Sequence, residues 1–174
     1  RSVFLLFVAL SGGRIIIMAK AKKIPYLNPD QPLELCLQKI LRTRFGEMIS
    51  FESGTLDGSD IEALHDMRVA SRRVQAVLKI FRGAFPKRKF KAEYIEIRGL
   101  IRALGEVRDF DVMIDKMEKF RSAQNTADSR ALDLYIIRKK MERQEKRKVL
   151  IQHINNMNKA GYKEHFYRFI TECL

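Results

Sequence analysis

Positively charged side chains recur at intervals of three, four and seven residues in two neighbouring segments of this sequence. One row comprises His65, Arg68, Arg72 and Lys79, and a second row comprises Lys91, Arg98 and Arg102. Residues three or four apart lie on the same side of an α-helix, so each row would form a line of cations. Arginine suits phosphate because its planar guanidinium donates two parallel hydrogen bonds and stays charged at any relevant pH. The pattern therefore predicts a site for an anion.

The bases in this region outnumber the acids that could pair with them. Residues 65–108 contain twelve Lys or Arg and four Asp or Glu, and the whole chain has a formal net charge of +13. A solvated helix face usually carries acids four residues from its bases, as this sequence does near Glu142 and Glu145. We therefore expect a ligand to supply negative charge. A net charge of this size favours nucleic acid, inorganic phosphate chains or an anionic membrane surface.

The apolar residues repeat at helical spacing over five segments, and these segments must position the two rows. Helices are predicted at about 31–51, 60–82, 88–122, 129–153 and 162–173. Residues 53–59 have the composition of a surface loop, and the asparagines between 155 and 158 are expected to follow the end of the fourth helix. No stretch shows the alternation of a half-buried strand. The predicted fold is all-α, an up-and-down helical bundle of four to five helices.

Local features add detail to these helices. Ser59 and Glu62 match a capping box, so the second helix should begin near Asp60. A glycine inside the third helix, Gly105, suggests a bend or a close helix contact. One or both of the acids in the run VRDFDV, at 109 and 111, are expected to pair with neighbouring arginines and fix their rotamers. The alternative is that they bind Mg²⁺, although residues two apart point to different faces of a helix.

The length fits a single domain with its own core. We assign 28–174 to the helical domain and 1–27 to an N-terminal extension. Residues 1–17 are interpreted as translated upstream sequence, because Met18 followed by AKAKK resembles the start of a soluble protein; a membrane anchor is the alternative. Two cysteines without metal-ligand spacing indicate a reducing compartment, so we expect a cytoplasmic protein.

The sequence lacks the motifs of common catalytic sites. It contains no phosphate-binding glycine loop, no dinucleotide fingerprint and no nucleophile elbow, and its three histidines are far apart. We therefore predict no catalytic residues, no bound metal and no cofactor. A phosphate-processing enzyme that uses Asp109 and Asp111 with a metal is kept as an alternative.

Two runs resemble the CHAD family, the conserved histidine α-helical domain. They are ALHDMRVASRRVQAVLKIFRGAF at 63–85 and LIRALGEVRDFDVMID at 100–115. The first follows the pattern HxxRVxxRRxxxxLxxF, and the second contains LGxxRDxDV. The resemblance covers about 31–173. It implies an all-α fold of two helical bundles related by a pseudo-twofold axis, with a basic surface or pore between them.

The resemblance also implies a function and a set of residues. The family binds inorganic polyphosphate without catalysis, so we expect that ligand here, no enzymatic activity, and a cytoplasmic location at polyphosphate granules. The contacts carried over by position are His65, Arg68, Arg72, Arg73 and Lys79 on the second helix, Arg98, Arg102 and Arg108 on the third, and Arg138, Lys139 and Arg143 on the fourth. The three contacts on the fourth helix are weaker candidates, because that helix matches the family only in its general character.

The His/Arg-rich helix occurs once here, whereas the family's architecture has it twice. His153 lacks the arginines that would make it a second copy. We expect either a fragment or two copies that form a homodimer. Nucleic-acid binding is the alternative function, but single-strand binders interleave exposed aromatics with bases, and Phe81 and Phe110 fall on predicted core faces. No membrane partner is expected.

Overall fold

The computed structural model describes residues 10–11, 14–15, 21–28, 30–58, 60–123 and 129–174. The helices in these ranges are α1 (Leu33–Ser50), α2 (Glu52–Asp57), α3 (Ile61–Ile80), α4 (Lys87–Ala123), α5 (Ser129–Lys159) and α6 (Tyr162–Cys173). A 3₁₀ turn at Arg82–Ala84 joins α3 to α4, and the strands β1 (Leu10–Ser11) and β2 (Arg14–Ile15) pair antiparallel. The all-α prediction is confirmed, and every predicted helix is present. The two strands are too short to show the alternation by which a strand is predicted.

The core is built from the apolar sides of α1, α3, α4, α5 and α6. α4 packs against both α3 and α5, while α1 packs against α3 and α6. Phe45 of α1 stacks on Phe166 of α6 with ring centroids 4.1 Å apart. The largest fully buried side chains are Phe45, Phe166, Leu37, Leu41, Met48, Met67, Leu78, Ile97, Leu100, Leu104, Leu150 and Ile170. The basic rows of α3 and α4 are therefore held on a firmly packed scaffold.

Residues 53–57 of the stretch predicted as a loop at 53–59 belong to helix α2, so the prediction was wrong for these residues. Thr55 is buried, and its hydroxyl donates to the Phe51 carbonyl at 2.8 Å. Gly54 lies against α3, where an added Cβ would come within 2.8 Å of the Ala63 Cβ. Glycine and threonine are weak helix formers. α2 is helical because it packs closely on α3, which its composition does not reveal.

The start of α3 agrees with the sequence, but the capping residue differs. Asp60 is the N-cap, and its carboxylate accepts a hydrogen bond from the Glu62 amide at 2.9 Å. Ser59, the predicted capping residue, lies outside the described residues. The aspartate satisfies one of the amides left without a helical partner at the first turn.

α5 continues through the asparagine cluster that was predicted to lie beyond its end. The helix runs to Lys159, because Ile154 is buried and the Asn158 amide donates to Glu52 Oε1 at 2.5 Å. The chain turns at Gly161, whose φ of 64° is a left-handed conformation that glycine adopts without strain. Tertiary contacts outweigh the low helix propensity of asparagine here.

Residues 21–28, which belong mainly to the predicted extension, lie along α1. Arg44 donates to the Lys22 carbonyl at 2.8 Å, and Lys39 donates to the Tyr26 carbonyl at 2.7 Å. Most of residues 1–17, and with them the prediction of translated upstream sequence, lies outside the described residues. Among the helices that the structure describes, none is long and apolar enough to cross a membrane.

Candidate anion-binding surface

The contact between Arg68 and Gly105 shows how α3 lies against α4. A Cβ built on Gly105 would be 3.6 Å from Arg68 Nε, so the guanidinium of α3 lies directly over the backbone of α4. Arg68 Nε is buried and has no hydrogen-bond partner among the described residues. Of the two roles predicted for Gly105, the close helix contact is the one observed.

The two cation rows border one surface. Arg68 of α3 lies over Gly105 of α4. Ile61, seven residues before Arg68, lines the same groove as Val112, seven residues after Gly105, so the two helices run antiparallel. Each helical residue rises about 1.5 Å, so Arg72 lies about 6 Å farther along α3 than Arg68 does. Because α4 runs in the opposite direction, Arg72 is displaced from Gly105 towards residue 102 of α4. Residues 98, 102 and 105 share one side of α4. We call this site the α3–α4 basic surface; it comprises His65, Arg68, Arg72, Lys79, Arg98 and Arg102.

Most cations of the α3–α4 basic surface have no acidic partner. Within the described ranges, ion pairs are absent from Arg68, Arg72, Lys79 and Arg98. Three of these side chains are exposed, and Arg68 is half-buried. Neighbouring like charges repel one another, so an anion that binds among them relieves the repulsion. The arrangement favours a multivalent anion, since successive cations lie along the same helix faces.

Within the described residues, Arg102 is the one cation of this surface that has an acidic partner. Its Nε lies 3.3 Å from Glu106 Oε1, and its side chain is 83% exposed. Glu106 also accepts from Lys146 Nζ of α5 at 3.0 Å, and hydrogen bonds from Lys146 and then Arg102 lower the pKa of the Glu106 carboxyl. Solvent-exposed pairs of this kind contribute about 0–1 kcal/mol, so Arg102 can readily exchange its partner for a ligand.

His65 lies at the start of the α3 row. Its Nδ1 is buried and has no hydrogen-bond partner among the described residues. Burial raises the pKa of the neighbouring Asp66, and His65 partly offsets this rise. His65 therefore offers a ring nitrogen that has no partner in the described part of the chain.

The sequence model of the CHAD domain family matches residues 39–166, which is well over half of the 174 residues. The chain belongs to the CHAD domain family. The match includes all of α3, α4 and α5, so both cation rows lie within the CHAD domain. No protein with a curated description matches the chain.

The candidate residues on α5 of this CHAD domain are paired with acids. Arg138 Nε and Lys139 Nζ lie 3.2 Å and 2.7 Å from the two carboxylate oxygens of Glu142. Hydrogen bonding to Glu142 raises the pKa of Lys139. Arg143 bonds to Asp111 of α4. These three therefore differ from the unpaired cations on α3 and α4, because each already has an acidic partner.

Two further candidates are not among the cations of the α3–α4 basic surface. Arg73 points to α1, where its Nη1 is 2.8 Å from Glu47 Oε1, and Glu47 is buried. Arg108 is half-buried and lines a groove between the start of α3, the second half of α4 and α5. Both remain predicted contacts, but neither is grouped with the row that begins at His65.

The acidic pair of the CHAD domain has two different environments. Asp111 is buried and accepts from Arg143, so it pairs with an arginine as predicted, although not with a neighbouring one. The partner comes from α5, 32 residues away, and was not identifiable from the neighbouring sequence. Asp109 is exposed. In the part of the chain that the structure describes, no three His, Cys, Asp or Glu residues are grouped closely enough to hold a metal ion.

Lys146 is a cation that the sequence pattern did not single out. Its side chain is 46% exposed and bridges to Glu106 beside Arg102, so it extends the basic surface onto α5. It lies seven residues after Lys139, a spacing that places both on one side of a helix. That spacing was visible in the sequence, but it could not show that this side faces α4.

Proposed function

We propose that this CHAD domain binds inorganic polyphosphate, without catalysis, through the α3–α4 basic surface. The observation that carries the proposal is the set of unpaired cations, Arg68, Arg72 and Arg98, on one surface of two antiparallel helices. Polyphosphate is a flexible chain of regularly spaced anions, so a lattice of guanidinium and ammonium groups suffices to bind it. Membership of the CHAD family supports the same ligand.

Polyphosphate fits this surface better than a nucleic acid does. Proteins that bind single strands stack bases on exposed aromatic rings. Near the two rows, Phe81 is partly buried and packs against the core, and the Phe110 ring lies beneath Lys139 Nζ at 5.9 Å. Polyphosphate has no bases, so its binding does not require exposed aromatic rings.

Competition between equally charged ligands tests this preference. Fluorescent long-chain polyphosphate is bound to the protein and challenged with unlabelled polyphosphate or with a single-stranded oligonucleotide of the same number of phosphates. We expect the oligonucleotide to require at least a tenfold higher concentration for half displacement. Equal displacement would favour nucleic-acid binding instead.

The proposed binding is not catalytic. Incubation of the protein with polyphosphate is expected to release no orthophosphate, with or without Mg²⁺. Release that depends on Mg²⁺ would contradict this and would point to Asp109 as a metal ligand.

The assembly and the location are two separate proposals. We propose that two copies form a homodimer, and that the protein is cytoplasmic and associates with polyphosphate granules. Sedimentation that detects only monomers at tens of micromolar would contradict the homodimer.

A further inference from the structure

Glu106 of α4 is an acid that lies between a cation of the α3–α4 basic surface and a cation of α5. One of its carboxylate oxygens, Oε1, is 3.3 Å from Arg102 Nε, and the other, Oε2, is 3.0 Å from Lys146 Nζ. The carboxylate thus joins a guanidinium and an ammonium that come from two different helices. In the protein without ligand, this place is occupied by an anionic group whose two oxygens each bind one cation.

Arg102 projects from the strip of α4 that lies between α3 and α5. Gly105 contacts α3 through Arg68, and Gly99 contacts α5, because a Cβ built on Gly99 would be 3.4 Å from His153 Cε1. Successive helical residues turn by about 100°, so residues 99 and 105 are about 120° apart around α4 and residue 102 lies midway between them. The Arg102 side chain is 83% exposed, so this strip faces solvent.

Arg68 and Lys146 lie at the same level of α4, on two different sides of it. Arg68 lies over Gly105, and Lys146 bonds to Glu106, the next residue of α4. Arg102 is about one helical turn from both of these positions. Packed helices have axes about 8–10 Å apart, so the three cations form a line that crosses α3, α4 and α5. A flexible polyanion that reaches Arg102 is therefore close to Lys146.

A phosphate group and a carboxylate bind cations in similar ways. Both accept charge-assisted hydrogen bonds from arginine and lysine, and both present oxygens that take separate donors. A phosphate group placed where the Glu106 carboxylate lies would therefore find one donor from α4 and one from α5. Glu106 is 36% exposed and Lys146 is 46% exposed, and ion pairs in contact with water are weak. A ligand with several charges can displace the carboxylate at small cost.

We propose that the place between Arg102 and Lys146 is a further phosphate subsite, and that Glu106 occupies it as an intramolecular competitor when no ligand is bound. One phosphate group of the ligand replaces the carboxylate, and the Glu106 side chain turns towards solvent. The binding site then extends from α3 and α4 onto α5. This inference rests on the proposed binding of polyphosphate, and it adds a cation that contacts the ligand and an acid that limits the affinity.

A double-mutant cycle separates this role from a purely structural ion pair that joins α4 to α5. Charges that act independently change the affinity additively, whereas two groups that share one subsite do not. The cycle comprises the wild type, Glu106→Gln, Lys146→Ala and the double variant. Each protein is titrated with fluorescent long-chain polyphosphate at constant salt.

Glu106→Gln should raise the affinity for polyphosphate at least threefold, because no carboxylate then competes for the subsite. Lys146→Ala should lower the affinity less than twofold in the wild type, where Lys146 gains a phosphate only by losing Glu106. In the Glu106→Gln background the same substitution should lower it at least threefold. Additive effects of the two substitutions, or an affinity that Glu106→Gln leaves unchanged, would overturn the proposal.

Glu145→Gln is the matched control for the removal of one negative charge. Glu145 precedes Lys146 in α5, is 70% exposed, and pairs with Lys148 at 2.8 Å. A helix turns by about 100° between neighbouring residues, so Glu145 does not share the side of Lys146 that faces α4. We expect this control to change the affinity less than twofold, and a gain equal to that of Glu106→Gln would overturn the proposal. All three substituted positions are exposed by 36% or more, so helical circular dichroism should be unchanged.

Titration of the Glu106 carboxyl tests the displacement without any substitution. Hydrogen bonds from Lys146 and then Arg102 lower its pKa in the protein without ligand. Both bonds are lost when a phosphate group takes its place, and the ligand adds negative charge nearby. Bound polyphosphate should therefore raise the pKa of Glu106, as followed by the chemical shift of its carboxyl carbon. An unchanged pKa with polyphosphate bound would overturn the proposal. Absence of binding by both the wild type and Glu106→Gln would instead contradict the proposed function, and this inference with it.

Discussion

Arg72 and Arg73 are adjacent, yet a helix turns by about 100° between them, so they face different parts of the protein. Arg72 is exposed on the α3–α4 basic surface, whereas Arg73 binds the buried carboxylate of Glu47 at 2.8 Å. The pair RR in the sequence shows that two arginines are present. Which of them faces the α3–α4 basic surface depends on a contact with α1, 26 residues earlier, and no local pattern contains that information.

Substitution of Arg73 should therefore affect mainly stability, and substitution of Arg72 should affect mainly polyphosphate binding. Arg73→Ala is expected to lower the free energy of unfolding by about 2 kcal/mol, because Glu47 stays buried with fewer donors. Arg72→Ala should change it by less than about 0.5 kcal/mol and should weaken polyphosphate binding. Urea denaturation and a polyphosphate titration of each variant measure the two effects. Equal loss of stability in both would contradict the different environments.

Tyr162 is a buried titratable residue at the contact between α4 and α6. It is 8% exposed, and burial together with the neighbouring Glu93 raises the pKa of its hydroxyl above the ordinary value of 10.0. Glu93 is itself buried and bonds to His165 Nε2 at 2.7 Å. The phenol therefore keeps its proton in the folded state at pH values where the unfolded chain loses it.

This difference predicts how stability responds to alkaline pH. The folded state binds one more proton than the unfolded state above about pH 10, so its stability falls there by about 1.4 kcal/mol per pH unit from this residue. Tyr162→Phe should remove that part of the slope and leave the stability below pH 9 within about 1 kcal/mol. Urea denaturation of both proteins at several pH values measures the slopes. Identical slopes would show that the tyrosine titrates normally in the folded state.

At the scale of helices, α2 depends on a side chain from α5. Arg147 donates to the carbonyls of Thr55, Leu56 and Asp57 at 3.1, 2.7 and 2.9 Å. These carbonyls lie in the last turn of α2, where no helical amide remains to bond them. Gly58 follows with a φ of 73°, the left-handed conformation that ends many helices.

Removal of this guanidinium should destabilise the region around α2. Arg147→Met keeps most of the aliphatic stem but loses three charge-assisted bonds, and we expect a loss of about 2 kcal/mol in the free energy of unfolding. Lys148→Met, at an exposed neighbouring position, is the matched control and should have little effect. Chemical denaturation compares the two. A loss no larger than that of the control would mean that Arg147 does not stabilise α2.

The long helices could be predicted from sequence and the short one could not. α3 and α4 have continuous apolar stripes, and packing of such a stripe determines where a helix forms. α2 has six residues rich in polar and small side chains, so its helical state comes from Gly54 on Ala63 and from Arg147. The extension of α5 to Lys159 similarly depends on contacts that are distant in sequence.

At the scale of the molecule, positive charge is unevenly compensated. The ion pairs between elements include several that join α4 to α5, such as Lys146 with Glu106, whereas Arg72 and Arg98 have none among the described residues. The excess of bases over acids was visible in the sequence. Its concentration on one surface required the antiparallel packing of α3 on α4, which sequence periodicity alone does not give.

Binding of a polyanion to such a surface should depend strongly on salt. Each cation that neutralises a phosphate displaces condensed counterions, so the affinity falls as the salt concentration rises. This reasoning is established for nucleic acids and applies to any dense line of phosphates. A double substitution on the surface should reduce both the affinity and the steepness of the salt dependence.

The decisive experiment compares Arg68→Ala plus Arg72→Ala with a variant of equal charge, Lys163→Ala plus Arg168→Ala, whose two cations are exposed on α6. We predict that the first variant binds long-chain polyphosphate at least tenfold more weakly than the wild type, a change of about 1.4 kcal/mol, with a shallower salt dependence. The second variant should bind nearly as well as the wild type. An unchanged affinity in the first variant, or an equal loss in both, would contradict binding at the α3–α4 basic surface.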